Sequence, residues 1–205
     1  MSQLVRIFST PIFKTSFDKT LCDSALQSVF KLKDKKEGYQ QQNNWCSRDD
    51  LHQLDPFNEL STEILKFSKG VLDHITLIRD SEYITCMWAN VNKVGHQHPQ
   101  HIHGNAFLSG VLYLQLPEGS GKTYFVDPRP AAKVFSFDFK DNPNEWMGGS
   151  NWGPPPAVGD LIVFPSWLPH GVDFATSESD AERVSLSFNI MPKLTVDTVT
   201  RRISL

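Results

Sequence analysis

The sequence predicts a mainly β fold flanked by helices, a sandwich or barrel whose helical support precedes its strands. Three observations carry that expectation. Apolar residues recur at helical spacing only before Arg79. Beyond it the chain breaks into short runs of strand formers separated by Gly, Pro and Asp. No internal repeat or linker divides the 205 residues, a length that buries a sizeable core in one domain. Helices followed by a series of strands is the pattern of a sheet structure with helices packed on it.

Residues 4–8 and 12–17 read as short strands split by Pro11. Leu21, Ala25, Leu26, Val29, Phe30 and Leu32 fall largely three and four apart and predict a helix over 18–35. Phe57, Leu60, Ile64, Leu65, Val71, Leu72 and Ile75 predict a second over 56–78, with Pro56 suited to its first turn. Between them the polar segment 38–55 predicts a loop with at most one short strand. Strands follow over 83–91, 108–114, 123–126, 161–164 and 184–190. Residues 142–156 combine Gly, Pro, Trp146 and Trp152 into a long loop of the kind that forms lids or binds substrate. Trp146, Trp152 and Trp167 suit a pocket wall or lid. The expected layout is one domain over 1–205, with helical support over about 18–80 and a β core over about 81–192.

The apolar content of 40% and charged content of 21% are those of a globular chain. A net charge of -3 leaves no basic footprint, so nucleic acid is a poor partner. Cys22, Cys46 and Cys86 have no CxxC spacing and suggest neither a disulfide framework nor a zinc finger. With no long apolar run and no leader pattern, a cytoplasmic setting without a membrane is expected. Oligomeric state is open, with a homodimer among the options.

Chemistry concentrates in Gly95-His96-Gln97-His98-Pro99-Gln100-His101-Ile102-His103, which holds four of the seven histidines. Neutral imidazole is the commonest metal ligand. In a strand, His101 and His103 would share one face and could grip one ion. A distal histidine, His170, follows an apolar strand in Pro165-Ser166-Trp167-Leu168-Pro169-His170. Zinc with three His and an open position would make a hydroxide for hydrolysis or hydration. Non-haem iron(II) takes two His and a carboxylate and leaves room for O2 and a chelating substrate. Spacing alone does not choose. A third option is a non-catalytic cupin-like domain whose metal is structural or absent. His96 and His98 precede the ligand strand, with Pro99 breaking it, and read as pocket rim. Trp88, Asn90 and Asn92 alternate along one strand and share a face toward the pocket.

Several runs, in order, resemble the 2-oxoglutarate/Fe(II)-dependent oxygenases. They are His101-Ile102-His103; Leu108-Ser109-Gly110-Val111-Leu112-Tyr113-Leu114; Gly121 through Asp127-Pro128-Arg129; Gly159-Asp160-Leu161-Ile162-Val163-Phe164-Pro165; His170; and Arg183-Val184-Ser185-Leu186-Ser187-Phe188-Asn189. With Phe8-Ser9-Thr10-Pro11-Ile12, they are similar to a subgroup of small prolyl-hydroxylase-like members found in bacteria and phages. The resemblance implies a double-stranded β-helix (jelly-roll, cupin-like) core. It implies Fe(II), 2-oxoglutarate as cosubstrate, and hydroxylation of a C–H bond of a peptidyl, amino-acid or small-molecule substrate with release of succinate and CO2. It places His101 and His170 at iron, Arg183 at the far carboxylate of 2-oxoglutarate, and Tyr113 beside it, with Asn90 also toward the cosubstrate. A guanidinium suits that carboxylate because it presents a planar fork of donors.

One departure stands out: the family motif is His-x-Asp, and His103 occupies the carboxylate position. Three readings follow. His103 ligates directly, Asp127 supplies the carboxylate, or the third position is left to water with His103 turned away. The first is favoured, because Asp127 before Pro128 reads as a turn residue paired with Arg129.

Overall fold

The computed structural model describes residues 9–129, 151–176 and 180–194. The expected strand over 4–8, together with Phe8 and Trp146, lies outside those residues, as does the 142–150 part of the predicted long loop.

The chain opens with β1 (Phe13–Ser16) and α1 (Lys19–Asp34). Asp18 caps α1, its carboxylate accepting from the Thr20 N–H at 2.8 Å, and Lys31 and Lys33 sit in the last turn where the helix dipole favours cations. The predicted loop at 38–55 is instead a hairpin, β2 (Gly38–Gln41) and β3 (Asn44–Ser47), followed by 3-10 turns at Leu51–Gln53 and Asp55–Phe57. Its polar composition hid it, because β2 is exposed along its length and lacks an apolar alternation to read. Pro56 belongs to the second 3-10 turn, just ahead of α2 (Asn58–His74).

The remaining strands are β4 (Ser81–Asn92), β5 (His98–His101), β6 (Leu108–Gln115), β7 (Thr123–Val126), β8 (Asn151–Trp152), β9 (Asp160–Pro165), β10 (His170–Val172) and β11 (Arg183–Lys193). They form two antiparallel sheets. The larger runs β1-β9-β6-β11-β4-β3-β2 and the smaller β5-β10-β7-β8. This is the double-stranded β-helix that the resemblance implied. The five predicted strands beyond Arg79 are all present, while β8 and β10 are too short to carry a periodic signal.

Alternation in β11 explains how the layers assemble. Val184, Leu186, Phe188 and Ile190 are buried against the helices with Val29, Leu60, Ile64 and Leu72. Between them, Arg183, Ser185 and Ser187 line a cavity between the sheets. Strand β4 repeats the pattern: Ala89 and Val91 face the helices, and Trp88, Asn90 and Asn92 face inward. Both faces of these strands are covered, so a polar residue on the inner face needs a partner or a ligand. A second apolar cluster, Val111, Tyr113, Phe125, Ile162, Phe164 and Leu168, fills the rest of the space between the sheets.

Asp160 fastens β1 to the core. It lies opposite Ser16 in the β1–β9 ladder and is buried. Its carboxylate accepts from Ser16 Oγ (2.8 Å) and the Ala157 N–H (2.6 Å) and pairs with Lys14 Nζ at 2.7 Å. Burial pushes its pKa up, but Lys14, Ser16 and the Ala157 N–H outweigh that and hold it below the ordinary value. A depressed folded pKa adds stability that is present above the unfolded value of about 3.9 and is lost as pH falls toward the folded one. Asp160→Asn should therefore unfold at lower urea than wild type at pH 7, with the difference shrinking below about pH 4. Urea denaturation at several pH values measures it; a pH-independent difference would assign the loss to packing.

Candidate metal centre

His101 and His170 face each other across the β5–β10 ladder as direct cross-strand partners. Their ring centroids are 4.3 Å apart, and the His103 ring lies 5.1 Å from each. One nitrogen from each of the three lies within 4.8 Å of the others, which makes a group able to hold a metal ion.

His103 reaches this group by a different route from the one its spacing suggested. Strand β5 ends at His101, so the two residues do not share a strand face. The chain turns after His101, and the His103 N–H donates to the Ser166 carbonyl at 3.0 Å. Trp88 then stacks on the His103 ring, with centroids 6.0 Å apart and planes 22° apart. Pro99 also differs from expectation. It sits within β5, which is tolerated because β5 is the edge of its sheet.

The tautomers follow from the partners. The Leu168 carbonyl lies 2.8 Å from His170 Nδ1, and the Pro99 carbonyl 2.9 Å from His101 Nδ1. A carbonyl only accepts, so each Nδ1 must carry the hydrogen and each Nε2 presents a lone pair. This is the usual support for a ligating imidazole. His101 Nε2 and His103 Nε2 are 3.2 Å apart. Two nitrogens about 2.1 Å from one ion, roughly at right angles, would stand about 3.0 Å apart, so the spacing fits a shared cation. Burial lowers the pKa of all three rings, that of His170 to about 4, and keeps them in the neutral, ligating form. The Asn189 carboxamide is close enough to pull the His103 value partly back up.

Asp127 lies outside this group. It forms the expected turn pair with Arg129, with Oδ1 accepting from Nε at 3.0 Å and Oδ2 from Nη2 at 2.6 Å.

The three imidazoles border a cavity of about 70 Å³, and Arg183 borders the same cavity. Arg183 is only 3% exposed. Its Nη1 donates to Asn92 Oδ1 (2.9 Å) and more weakly to Ser185 Oγ (3.3 Å), while its Nε–H has no partner. Burial lowers its pKa, yet a guanidinium stays charged at neutral pH. Tyr113 is fully buried behind it, its ring centroid 5.2 Å from the guanidinium carbon and its hydroxyl donating to Thr123 Oγ1 at 2.7 Å. Among the described residues no carboxylate lines the cavity.

Trp88, Asn90 and Asn92 line the cavity, as their alternation suggested. Asn90 is engaged on both sides, accepting from Cys46 Sγ (3.0 Å) and donating to Ser187 Oγ (3.2 Å). His98 is exposed at the rim. His96 reaches deeper than expected: it is half-buried, and burial first and Arg183 second push its pKa down to about 4. Sequence reasoning missed Asn44, Ser109, Thr123, Ser185 and Ser187. The signal for Ser185 and Ser187 was the period-two alternation of β11, polar at every second residue between apolar ones.

A second, more open space of about 410 Å³ shares Trp88 with the first. Tyr39, Arg48, Asp49, Cys86 and Asn189 border it, so the β2–β3 hairpin forms one wall. Among the described residues no helix is long and apolar enough to cross a membrane.

Residues 86–189, half of the chain, match the family model described as "Putative 2OG-Fe(II) oxygenase", a span that includes His101, His103, His170 and Arg183. No curated protein matches the sequence. Among solved structures, the chain is similar to a prolyl-4-hydroxylase of Pseudomonas putida, with 14% identity and a TM-score of 0.65 over 90% of this chain and 94% of that one. It is also similar to SnoN, a non-heme alpha ketoglutarate dependent epimerase from nogalamycin biosynthesis, at 13% identity and a TM-score of 0.69 over 90% and 78%. HygX from Streptomyces hygroscopicus, solved with nickel and 2-oxoglutarate bound, matches at 12% identity and a TM-score of 0.62 over 90% and 83%.

Proposed function

Because the chain belongs to the 2OG-Fe(II) oxygenase family, we propose that His101, His103 and His170 hold its Fe(II) and that Arg183 binds the far carboxylate of 2-oxoglutarate. One observation carries the assignment. Three neutral imidazoles and a buried guanidinium border one cavity that no described carboxylate lines. A divalent cation at one end and a dianion reaching from it to Arg183 would satisfy both. His103 serves in place of the family's carboxylate, which leaves the centre one unit more positive and strengthens its hold on an anionic chelator.

Iron and 2-oxoglutarate supply the hard chemistry when bound: O2 is consumed, succinate and CO2 are released, and a C–H bond of the primary substrate is hydroxylated. The protein's own residues position and exclude. Arg183, backed by the Tyr113 ring, sets the direction of the cosubstrate. Asn90 lines the passage between the two ends. Trp88 packs on His103 and limits water beside the metal.

The primary substrate takes the second space. The inner cavity, at about 70 Å³, is much smaller than the space of about 410 Å³ that also borders Trp88. One wall of the larger space comes from the 38–55 segment, which supports specificity residing there. A peptidyl, amino-acid or small-molecule substrate fits that volume. Similar structures include a prolyl-4-hydroxylase and a HygX complex with hygromycin B.

Calorimetry under anaerobic conditions tests the core of this reading. Fe(II)-loaded protein should bind 2-oxoglutarate saturably, metal-free protein should not, and admission of air should yield succinate. Retention of zinc with no succinate would favour a three-His hydrolase instead.

A further inference from the structure

Arg183, Asn92 and Asn44 stand at one level across three neighbouring strands, Arg183 opposite Asn92 in the β11–β4 ladder and Asn44 opposite Asn92 in the β3–β4 ladder. All three are buried, at 3%, 3% and 7% exposure. The hydrogen bonds among them have one direction. A guanidinium can only donate, so Asn92 must turn its Oδ1 to Nη1, at 2.9 Å. That orients Asn92 Nδ2 outward, where it donates to Asn44 Oδ1 at 2.8 Å. Asn44 Nδ2 in turn faces Cys46 Sγ at 3.4 Å, and Cys46 donates to Asn90 Oδ1 at 3.0 Å.

Every acceptor in this relay is neutral. A buried arginine ordinarily takes a carboxylate, because an uncompensated charge in a low-dielectric interior is costly. Here the guanidinium is held in place by a carboxamide and a hydroxyl, and its Nε–H is left without a partner. An aspartate at position 92 would be nearly the same shape and would satisfy the cation. It would also use up the charge that an incoming anion needs.

We propose that Asn92 is a positioning residue for cosubstrate selection: braced by Asn44, it fixes Arg183 by a neutral hydrogen bond and so keeps the guanidinium charge free for the far carboxylate of a dicarboxylic 2-oxo acid. The inference rests on the cosubstrate reading above and deepens it. Arg183 names the contact, and Asn92 explains why that contact stays available. The site therefore separates holding the arginine from neutralising it.

The test compares two ligands on anaerobic, Fe(II)-loaded full-length protein by calorimetry. One is 2-oxoglutarate; the other is 2-oxopentanoate, which keeps the metal-chelating end and carries a methyl group where 2-oxoglutarate has its far carboxylate. Wild type should prefer 2-oxoglutarate. Asn92→Asp should weaken 2-oxoglutarate at least about tenfold, as expected for an added charge within contact of a buried cation, and leave 2-oxopentanoate unchanged. Asn92→Ala adds no charge but removes the brace; it should weaken 2-oxoglutarate several-fold and again spare 2-oxopentanoate. A merely structural role would weaken both ligands together, and that result, or no change in either, overturns the proposal. Wild-type protein that binds both ligands alike, or neither, would fail the cosubstrate reading itself. A normal wild-type preference with unaffected Asn92 variants would fail only the inference about Asn92.

Discussion

His170→Ala is expected to abolish succinate formation and to lower Fe(II) affinity by at least about a hundredfold, since even residues supporting a ligand cost 10–100-fold when lost. His170 contributes more than one ligand's worth of geometry. It sits on β10, between β5 and β7, with His101 opposite on one side and Phe125 on the other. Its Nδ1 is fixed by the Leu168 carbonyl, and its ring packs edge-on against Phe164 at a centroid distance of 4.6 Å. Truncation therefore removes both a donor and a wedge between the sheets, and some loss of stability will accompany it. His101→Ala separates the two effects. His101 lies on the exposed edge strand β5, so its removal should cost the metal comparably and leave the thermal melt of the metal-free protein nearly unchanged. His103→Asp completes the series. A carboxylate there restores the family's motif, and this variant should keep metal and turnover. Metal titration with melting curves on all three measures the pattern; unaltered Fe(II) affinity in His101→Ala would remove β5 from the centre.

Arg183→Met is expected to weaken 2-oxoglutarate by about a hundredfold or more while Fe(II) affinity stays within a few-fold, because a fully desolvated charge contact is worth several kcal/mol. The variant should also melt no lower than wild type without ligand. Burying a guanidinium is expensive, and in this fold no described carboxylate offsets the expense; methionine of similar length fills the space without that penalty. A side chain whose loss harms binding and spares the fold is one retained for a ligand. Calorimetry for affinity and a melting curve for the apo-protein test both halves. A large drop in melting temperature would mean that Arg183 is structural, with its Asn92 and Ser185 hydrogen bonds outweighing its desolvation.

Legibility in the sequence followed burial pattern. Strands β4, β6, β9 and β11 of the larger sheet announced themselves because one face of each packs on helices, which imposes apolar residues at every second position, as in Val184, Leu186, Phe188 and Ile190. Helices α1 and α2 were readable for the same reason at their own period. The β2–β3 hairpin was not, since β2 is exposed and its residues answer to no core. The site divides similarly. His170 could be singled out as a histidine following an apolar strand, whereas Arg183, beside Glu182 and at the start of its strand, was placed by the family resemblance alone. His103 could be picked as a member of the cluster, but not for the right reason. Residues i and i+2 share a face only within one strand, and β5 ends two residues before His103. What brings it in is a backbone turn held by the Ser166 carbonyl and a ring held by Trp88, both contacts between segments more than ten residues apart in sequence. Long-range contacts of that kind leave no local trace. The brace of Asn44 behind Asn92 was invisible for the same cause.

Pro99 has a further consequence at the outer margin of the smaller sheet. Among the described strands β5 is that sheet's edge, and three of its four residues are exposed. An exposed edge is a template on which another chain can add a strand, the first step of aggregation and of domain swapping. Proline removes one N–H from that edge and fixes its backbone, so a foreign strand meets a gap in the ladder it would need. The strand that carries His101 is thus guarded against intermolecular pairing at the place where such pairing would pull the histidine out of line.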